Sequence, residues 1–236
     1  MDVFRPKGQL SREIRLAVES PGAVLEILGA RLSAERKRRI DEVAARRTSR
    51  LTLAIEGVED PHNTAAIVRT CDAFGLKVVH IIENGTRFLF SRKVTQGAHK
   101  WVDLGVWERP EQFAEAVRNE GKRILVACAD GSTVLDAIDP SEPMALVVGN
   151  EHEGISPAMR ALADGAFRIP MHGFVESMNV SVAAAIALAV LRKDGRGDLD
   201  PDEAAVLRAR FYLRAVRAGY DIVMRELEER GLGHSG

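Results

Sequence analysis

Two cysteines in 236 residues, Cys71 and Cys128, lie far apart, and neither belongs to a CxxC pair. That scarcity argues against a cysteine-ligated metal centre and fits a reducing, cytoplasmic setting. The six histidines (His62, His80, His99, His152, His172 and His234) form no HExxH motif and no close ligand pair, so no metal is expected. No run of about 18 apolar residues is free of charge, so no membrane span is expected. The opening stretch MDVFRPKGQLSREIR has no apolar core of the kind a secretory signal needs. GxxxxGK[ST] and GxGxxG are both missing, which disfavours a P-loop nucleotidase and an ordinary dinucleotide enzyme. A net charge of −1 excludes a generally basic nucleic-acid-binding body.

What is present is ordinary for a soluble globular protein: 46% hydrophobic and 28% charged residues. The length suits one large α/β domain, with or without helical extensions. Charge is unevenly placed. Arg31, Arg36, Lys37, Arg38, Arg39, Arg46, Arg47 and Arg50 face only Glu35, Asp41 and Glu42 across residues 31–50. A local excess of this kind can hold a polyanion, or it can be a solvated helix face.

The pattern predicts helices near 11–18, 23–28 and from Ser33, whose side chain suits an N-cap. The third helix has only Ile40, Val43 and Ala44 as a thin apolar side, so it must rest on the core or on another chain. Strand and helix then alternate. Strands are predicted at 51–57, 77–82, 102–106, 123–129, 144–148 and 166–169. Helices are predicted at 64–74, 91–96, 109–121, 157–163 and 180–191, with a turn or short helix at 132–138. One long helix is predicted over 202–230. Near-continuous apolar strands between helices specify a parallel sheet covered on both faces.

Three loops that follow strands carry unusual chemistry, and strand ends are where open α/β sheets hold ligands. The first is Glu59-Asp60-Pro61-His62-Asn63, opening a helix that carries Arg69. Asn63 and Arg69 are six apart and do not share one face. Arg69 stands among apolar neighbours, where a structural salt bridge to Glu59 or Glu151 would be its plainest role. The second is Gly149-Asn150-Glu151-His152-Glu153-Gly154, whose acids suit a cationic or hydroxyl-rich ligand better than phosphate. The third, IPMHGFVESMNVSVAAA, places Ser177 and Asn179 at the start of an alanine-rich helix, with Asn179 where an N-cap belongs.

Taken together, EDPHNTAAIVRTCDAFG, VVGNEHEGIS and IPMHGFVESMNVSVAAAIAL, in this order, resemble the three motifs of the SpoU, or TrmH, family of RNA 2′-O-ribose methyltransferases, within the SPOUT superfamily. Within that family the chain most resembles the tRNA guanosine-18 enzymes, through AERKRRIDEVAARR, QGAHKWV and ALADGAFRIPM. The resemblance implies an α/β parallel sheet with a deep C-terminal trefoil knot. The expected extents are a helical extension over 1–50, a methyltransferase domain over 51–193 and a C-terminal helix over 194–236. It implies a cytoplasmic homodimer that uses S-adenosylmethionine, no metal and a tRNA substrate. By motif position Asn63, Arg69, Glu151, Ser177 and Asn179 match the catalytic residues. The donor's adenine would lie near Cys128, Gly149, Ile169 and Met178. RNA would meet Arg36, Lys37, Arg38, Arg39, Arg46, Arg47, His62 and His99. Asp60 stands where the guanosine-18 enzymes carry lysine. The same chemistry on ribosomal RNA or another tRNA position is the alternative, and a non-catalytic RNA-binding module is a second.

Overall fold

Every residue of the strand Leu51–Glu56 is buried, a pattern that suits a central strand with both sheet faces covered. In the computed structural model, which describes residues 3–4, 12–83, 100–150 and 152–231, that strand is β2. The others are β1 (Val3–Phe4), β3 (Val78–Ile82), β4 (Asp103–Trp107), β5 (Arg123–Ala127), β6 (Thr133–Val134), β7 (Met144–Val148) and β8 (Gly165–Arg168). These described strands form one sheet in the order β1-β4-β3-β2-β7-β5-β8-β6. Each neighbouring pair is parallel.

Alternation along β2 sorts the two faces. Leu51, Leu53 and Ile55 join Leu146, Val148 and Leu125 beneath α4 (Pro61–Ala73) and α7 (Val180–Leu191). Ala54 joins Val126, Ala145 and Val147 on the other face, under α5 (Pro110–Asn119) and α6 (Pro157–Leu162). The alanines of α7 place Ala184 and Ala187 in the first of these cores with no exposed surface to speak of. The expected doubly covered parallel sheet is therefore present.

The chain divides into two compact units. The sheet unit takes residues 48–196 and the short strand β1. The helical unit takes residues up to Arg47 and from Gly197 onward, with α1 (Arg12–Glu19), α2 (Pro21–Gly29), α3 (Ala34–Ala44), α8 (Pro201–Ala215) and α9 (Gly219–Glu229). Ser33 caps α3 by accepting from the Arg36 amide at 3.1 Å. The thin apolar side of α3 rests on α8, an element of its own unit. Arg31 and Glu226 pair at 3.3 Å, and Arg230 and Glu26 at 3.0 Å, tying the two chain segments of the unit together.

One expectation differs from the structure, two short strands were not expected, and one expected helix is not tested. The single helix over 202–230 is two helices. Val216 is extended and Ala218 is left-handed at φ 55°, a conformation costing an L-residue roughly 1–2 kcal/mol. Gly219 follows because a Cβ there would lie 2.9 Å from the Leu213 carbonyl oxygen. The strands β1 and β6 have two residues each, too short for any periodicity to reveal. The helix expected at 91–96 lies outside the described residues.

One buried ionisable group shapes the second core. His80 of β3 is 4% exposed, and its Nδ1 accepts the Trp107 indole N–H at 3.0 Å. The ring stands edge-on to Phe113 at 5.3 Å between centroids. Gly105, its register partner on β4, has no room for a side chain, since a Cβ would come within 2.7 Å of Nδ1. Burial, with Lys122 adding to it, pushes the imidazole down from 6.5 to about 3. Above 6.5 the ring is neutral in both folded and unfolded chains, so it has no effect on pH dependence. Below that, the unfolded chain takes up a proton that the folded chain refuses, and stability falls until about pH 3. The limiting slope is about 1.4 kcal/mol per pH unit. His80→Gln should therefore be less stable than wild type at neutral pH. The gap should narrow as urea titrations are repeated down to about pH 4.

Candidate active site

In a parallel sheet the carboxyl ends of β2, β7 and β8 lie on one edge, and the three unusual loops leave from there. The first loop turns at Gly57, φ +60°, and ends at Asp60, whose carboxylate accepts from the His62 amide at 2.8 Å and caps α4. Pro61 fills the first helical position, where a missing N–H costs nothing.

The second loop closes on itself. Asn150 and Gly154 exchange backbone hydrogen bonds, each of 3.0 Å. A Cβ at Gly149 would fall 2.2 Å from the Gly154 oxygen, so only glycine allows this closure. The Asn150 side chain accepts from the His152 amide at 2.7 Å and the Glu153 amide at 3.1 Å, and donates to the Gly57 carbonyl at 2.7 Å. That last bond joins the second loop to the first. Glu56, 1% exposed at the end of β2, adds a second joint. Its carboxylate accepts from the Ser156 amide at 3.0 Å and from the Ser156 hydroxyl at 2.6 Å. Ser156 in turn caps α6 by accepting from the Met159 amide at 3.1 Å.

The third loop meets the first through one amide pair. Asn179 Oδ1 accepts from the Ser181 amide at 2.8 Å and the Val182 amide at 3.4 Å, which caps α7. With its oxygen so engaged, the Asn179 Nδ2 faces Asn63 and donates to its Oδ1 at 3.0 Å.

Between the second and third loops and the end of β5 lies a cleft of about 380 Å³, within the usual range for small-molecule sites. Cys128, Gly149, Ile155, Ser177, Met178 and Val180 line it. Burial pushes the Cys128 thiol up, Asp130 pushes it the same way, and Arg160 opposes. The thiol is therefore held protonated. Asp130 and Arg160, both on the cleft wall, form an ion pair. The hydrogen bond between them holds the Asp130 carboxyl below its usual range.

The structure thus brings Cys128, Gly149, Ser177 and Met178 to one cleft and bonds Asn63 to Asn179. Ile169 packs against the sheet core and does not line the cleft. Arg69 is exposed, one face around α4 from Asn63, with no hydrogen bond or ion pair to another described residue. The structural bridge to Glu59 is not made, and Glu151 lies outside the described residues. His62 is exposed at the start of α4, and His99 lies outside the described residues.

Among the basic residues of 31–50, Arg36, Arg38, Arg39 and Arg46 are exposed and Lys37 is half-buried. Arg38 and Arg39 both pair with Glu42. Arg47 corrects an expectation. It is 1% exposed, with its guanidinium 5.7 Å from the Phe211 ring, and is a core residue of the helical unit, out of reach of any nucleic acid. Sequence reasoning passed over Glu56, Ser156 and the Asp130–Arg160 pair. A signal existed for the first: Glu56 is the one acid in an otherwise uncharged strand segment, LTLAIE.

The SpoU rRNA Methylase family model matches residues 50–189. The tRNA (guanosine(18)-2′-O)-methyltransferase of Thermus thermophilus is 39% identical over 154 residues, covering 65% of this chain and 79% of that protein. The Escherichia coli protein of the same name is 32% identical over 197 residues, covering 82% of this chain and 86% of its own length. Among solved structures, the A. aeolicus TrmH/SpoU tRNA modifying enzyme matches with a TM-score of 0.69 at 32% identity, over 78% of this chain and 98% of that one.

The double duty of Asn179 can be separated. Asn179→Ala removes the cap of α7 and should cost about 1 kcal/mol in urea unfolding. Asn179→Ser keeps a capping oxygen but is too short to reach Asn63. It should retain near-wild-type stability while the site loses its joint between the first and third loops.

Proposed function

The chain belongs to the SpoU rRNA methylase family, and on that premise we propose that it is an S-adenosylmethionine-dependent tRNA 2′-O-methyltransferase acting on guanosine 18. The relatives from T. thermophilus and E. coli carry that activity in their names and are matched over most of their length. The observation that carries the reading is local. Asn63 and Asn179 are bonded beside a donor-sized cleft, and the helix that holds Asn63 also presents the exposed guanidinium of Arg69.

The cleft fits the donor. Its wall is small and apolar at Val148, Ile155, Met178, Val180 and Ala183, and glycine at 149 leaves backbone uncovered. Cys128 brings a thiol to the donor's surroundings. Kept protonated by burial, it does not compete for an electrophilic methyl group. When bound, S-adenosylmethionine would supply that methyl on a sulfonium sulfur, which leaves as a neutral thioether while the 2′-hydroxyl proton passes to solvent water. Cys128, Gly149 and Met178 would hold it, with Ile169 behind them in the core.

The remaining work is done by side chains. Arg69 carries donors only and is a poor base at neutral pH. It binds an RNA phosphate and the 2′-oxygen and stabilises the negative charge that grows there. Ser177 orients that phosphate. Asn63, fixed by Asn179, sets the ribose. Glu151, matched by motif position, anchors Arg69 or a nucleotide hydroxyl. Such positioning supplies up to roughly 7–11 kcal/mol in well-oriented systems. Arg36, Lys37, Arg38, Arg39 and Arg46 of the helical unit, with His62 and His99, supply salt-sensitive phosphate contacts. The sheet unit is the methyltransferase body and the helical unit the RNA-holding extension, in the cytoplasm.

We infer a trefoil knot as well. β8 pairs with β5 on one side and with β6 on the other, although β5 and β6 are consecutive in the chain. The connection between them therefore crosses β8. Gly131 lies against it so closely that a Cβ would meet the Phe167 carbonyl carbon at 2.4 Å. Arg168 donates to the carbonyl oxygens of Gly131 and Ser132 in the same connection. Threading is rare in proteins, and the contacts across β8 are what support the inference here.

The partner in the dimer is a second copy. Phe174 and Val175 in the third loop are 107% and 67% exposed, and Val182 on the first turn of α7 is 48% exposed. Apolar side chains left bare on one loop beside an active site mark a contact surface.

Labelled-methyl transfer to a tRNA transcript should place 2′-O-methylguanosine at position 18, located by mass spectrometry. A transcript with guanosine 18 replaced should take no label. Label at another nucleotide, or in ribosomal RNA alone, would move the target, and no transfer at all would favour the non-catalytic module. Arg69→Ala should abolish turnover while calorimetry still detects donor binding. Phe174→Glu combined with Val175→Glu should shift the sedimenting species from dimer to monomer.

A further inference from the structure

Glu56 sits where no ligand reaches it, yet it holds the loop that borders the donor cleft. We propose that Glu56, acting through Ser156, is a positioning residue for methyl-donor binding. The inference rests on the reading of the cleft as the donor site.

A carboxylate 1% exposed is costly to bury unless its lone pairs are used. Here one residue uses two of them: the amide and the hydroxyl of Ser156 both donate to the carboxylate, at 3.0 and 2.6 Å. Ser156 is the last residue before α6 and closely follows the glycine that closes the second loop. Its hydroxyl also accepts from the Met159 amide, so one side chain fixes the start of α6 and the end of the loop together. At the other end of the same loop, the Asn150 amide donates to the carbonyl of Gly57, the residue after Glu56. Consecutive residues of β2 and its turn therefore grip both ends of the loop.

The loop is tied end to end between these grips. It is closed by the paired Asn150–Gly154 backbone bonds and by a glycine approach that excludes a Cβ at Gly149. The placement of Gly154 and Ile155 is therefore set by the grip on Ser156. Gly149, Gly154 and Ile155 of this loop line the cleft. Releasing Ser156 from Glu56 would shift the wall at Gly154 and Ile155, while Asn150 stays held on Gly57, without touching Asn63, Arg69 or Asn179. The effect belongs on donor affinity, with the chemical step of the bound complex left nearly intact.

Glu56→Gln keeps the size of the side chain and removes the charge. In the full-length protein it should raise the dissociation constant for S-adenosylmethionine about tenfold, while kcat at saturating donor changes less than about threefold. Ser156→Ala should do the same, and the double variant should be no worse than either single, because the two residues act as one contact. Ser156→Thr retains a capping hydroxyl and should restore affinity. Amide exchange at Gly154 and Ser156, read without donor, should quicken in Glu56→Gln and Ser156→Ala. Donor affinity within about twofold of wild type in both single variants, or additive losses in the double, would overturn the proposal. So would a lower melting temperature with unchanged affinity, which is what a purely structural contact gives. If the wild type bound no donor while exchange still quickened, the grip would stand and the donor reading of the cleft would fall.

Discussion

The site depends on a constraint set by the backbone. Strands that all run one way present their carboxyl ends on one edge, so the loops after β2, β7 and β8 must leave side by side. Proximity alone does not make a site, because loops are the mobile part of a fold. Here three side-chain amides and one buried carboxylate turn proximity into geometry. Asn150 reaches Gly57, Glu56 reaches Ser156, and Asn179 reaches Asn63. Each of these bonds crosses from one loop or strand end to another, and two of them also cap a helix through the same residue.

Several polar groups in the interior are buried with their charge suppressed or their hydrogen-bonding groups engaged. His80 is held neutral and accepts from Trp107. Cys128 is held as a thiol. Arg192, 6% exposed, donates to the carbonyl oxygens of Phe74 and Arg196, the ends of α4 and of the turn after α7. Arg69, by contrast, lies in the open, unpaired with any described residue. A cation kept out of internal salt bridges is available to an external anion.

Much of this was readable in the residues. Uninterrupted apolar strands such as MALVV announced a doubly covered sheet, and Ser33, Asp60 and Asn179 each lay beside a helical pattern, though only Ser33 and Asn179 were read as caps. The cleft was legible through motif resemblance, since Cys128, Gly149 and Met178 are far apart in sequence and no local pattern joins them. Other features were hidden for physical reasons. A two-residue strand has no period, so β6 was invisible. Periodicity ran unbroken through 202–230, because the turn at 216–218 depends on one left-handed alanine and not on a proline. Arg47 reads like its basic neighbours, and only the tertiary position of Phe211 puts it inside.

The place of β8 in the sheet bears on how the chain is made. β5 and β6 leave the ribosome one after the other, yet they cannot pair, because the segment that belongs between them has not been synthesised. That edge of the sheet stays open until residues 165–168 arrive, and its exposed strand edges are a template for wrong pairing in the interval. Assembly of this half is therefore bound to be late and non-local, the regime in which folding is slow. The half containing β2, β3 and β4 pairs strands in simple chain order and can form first.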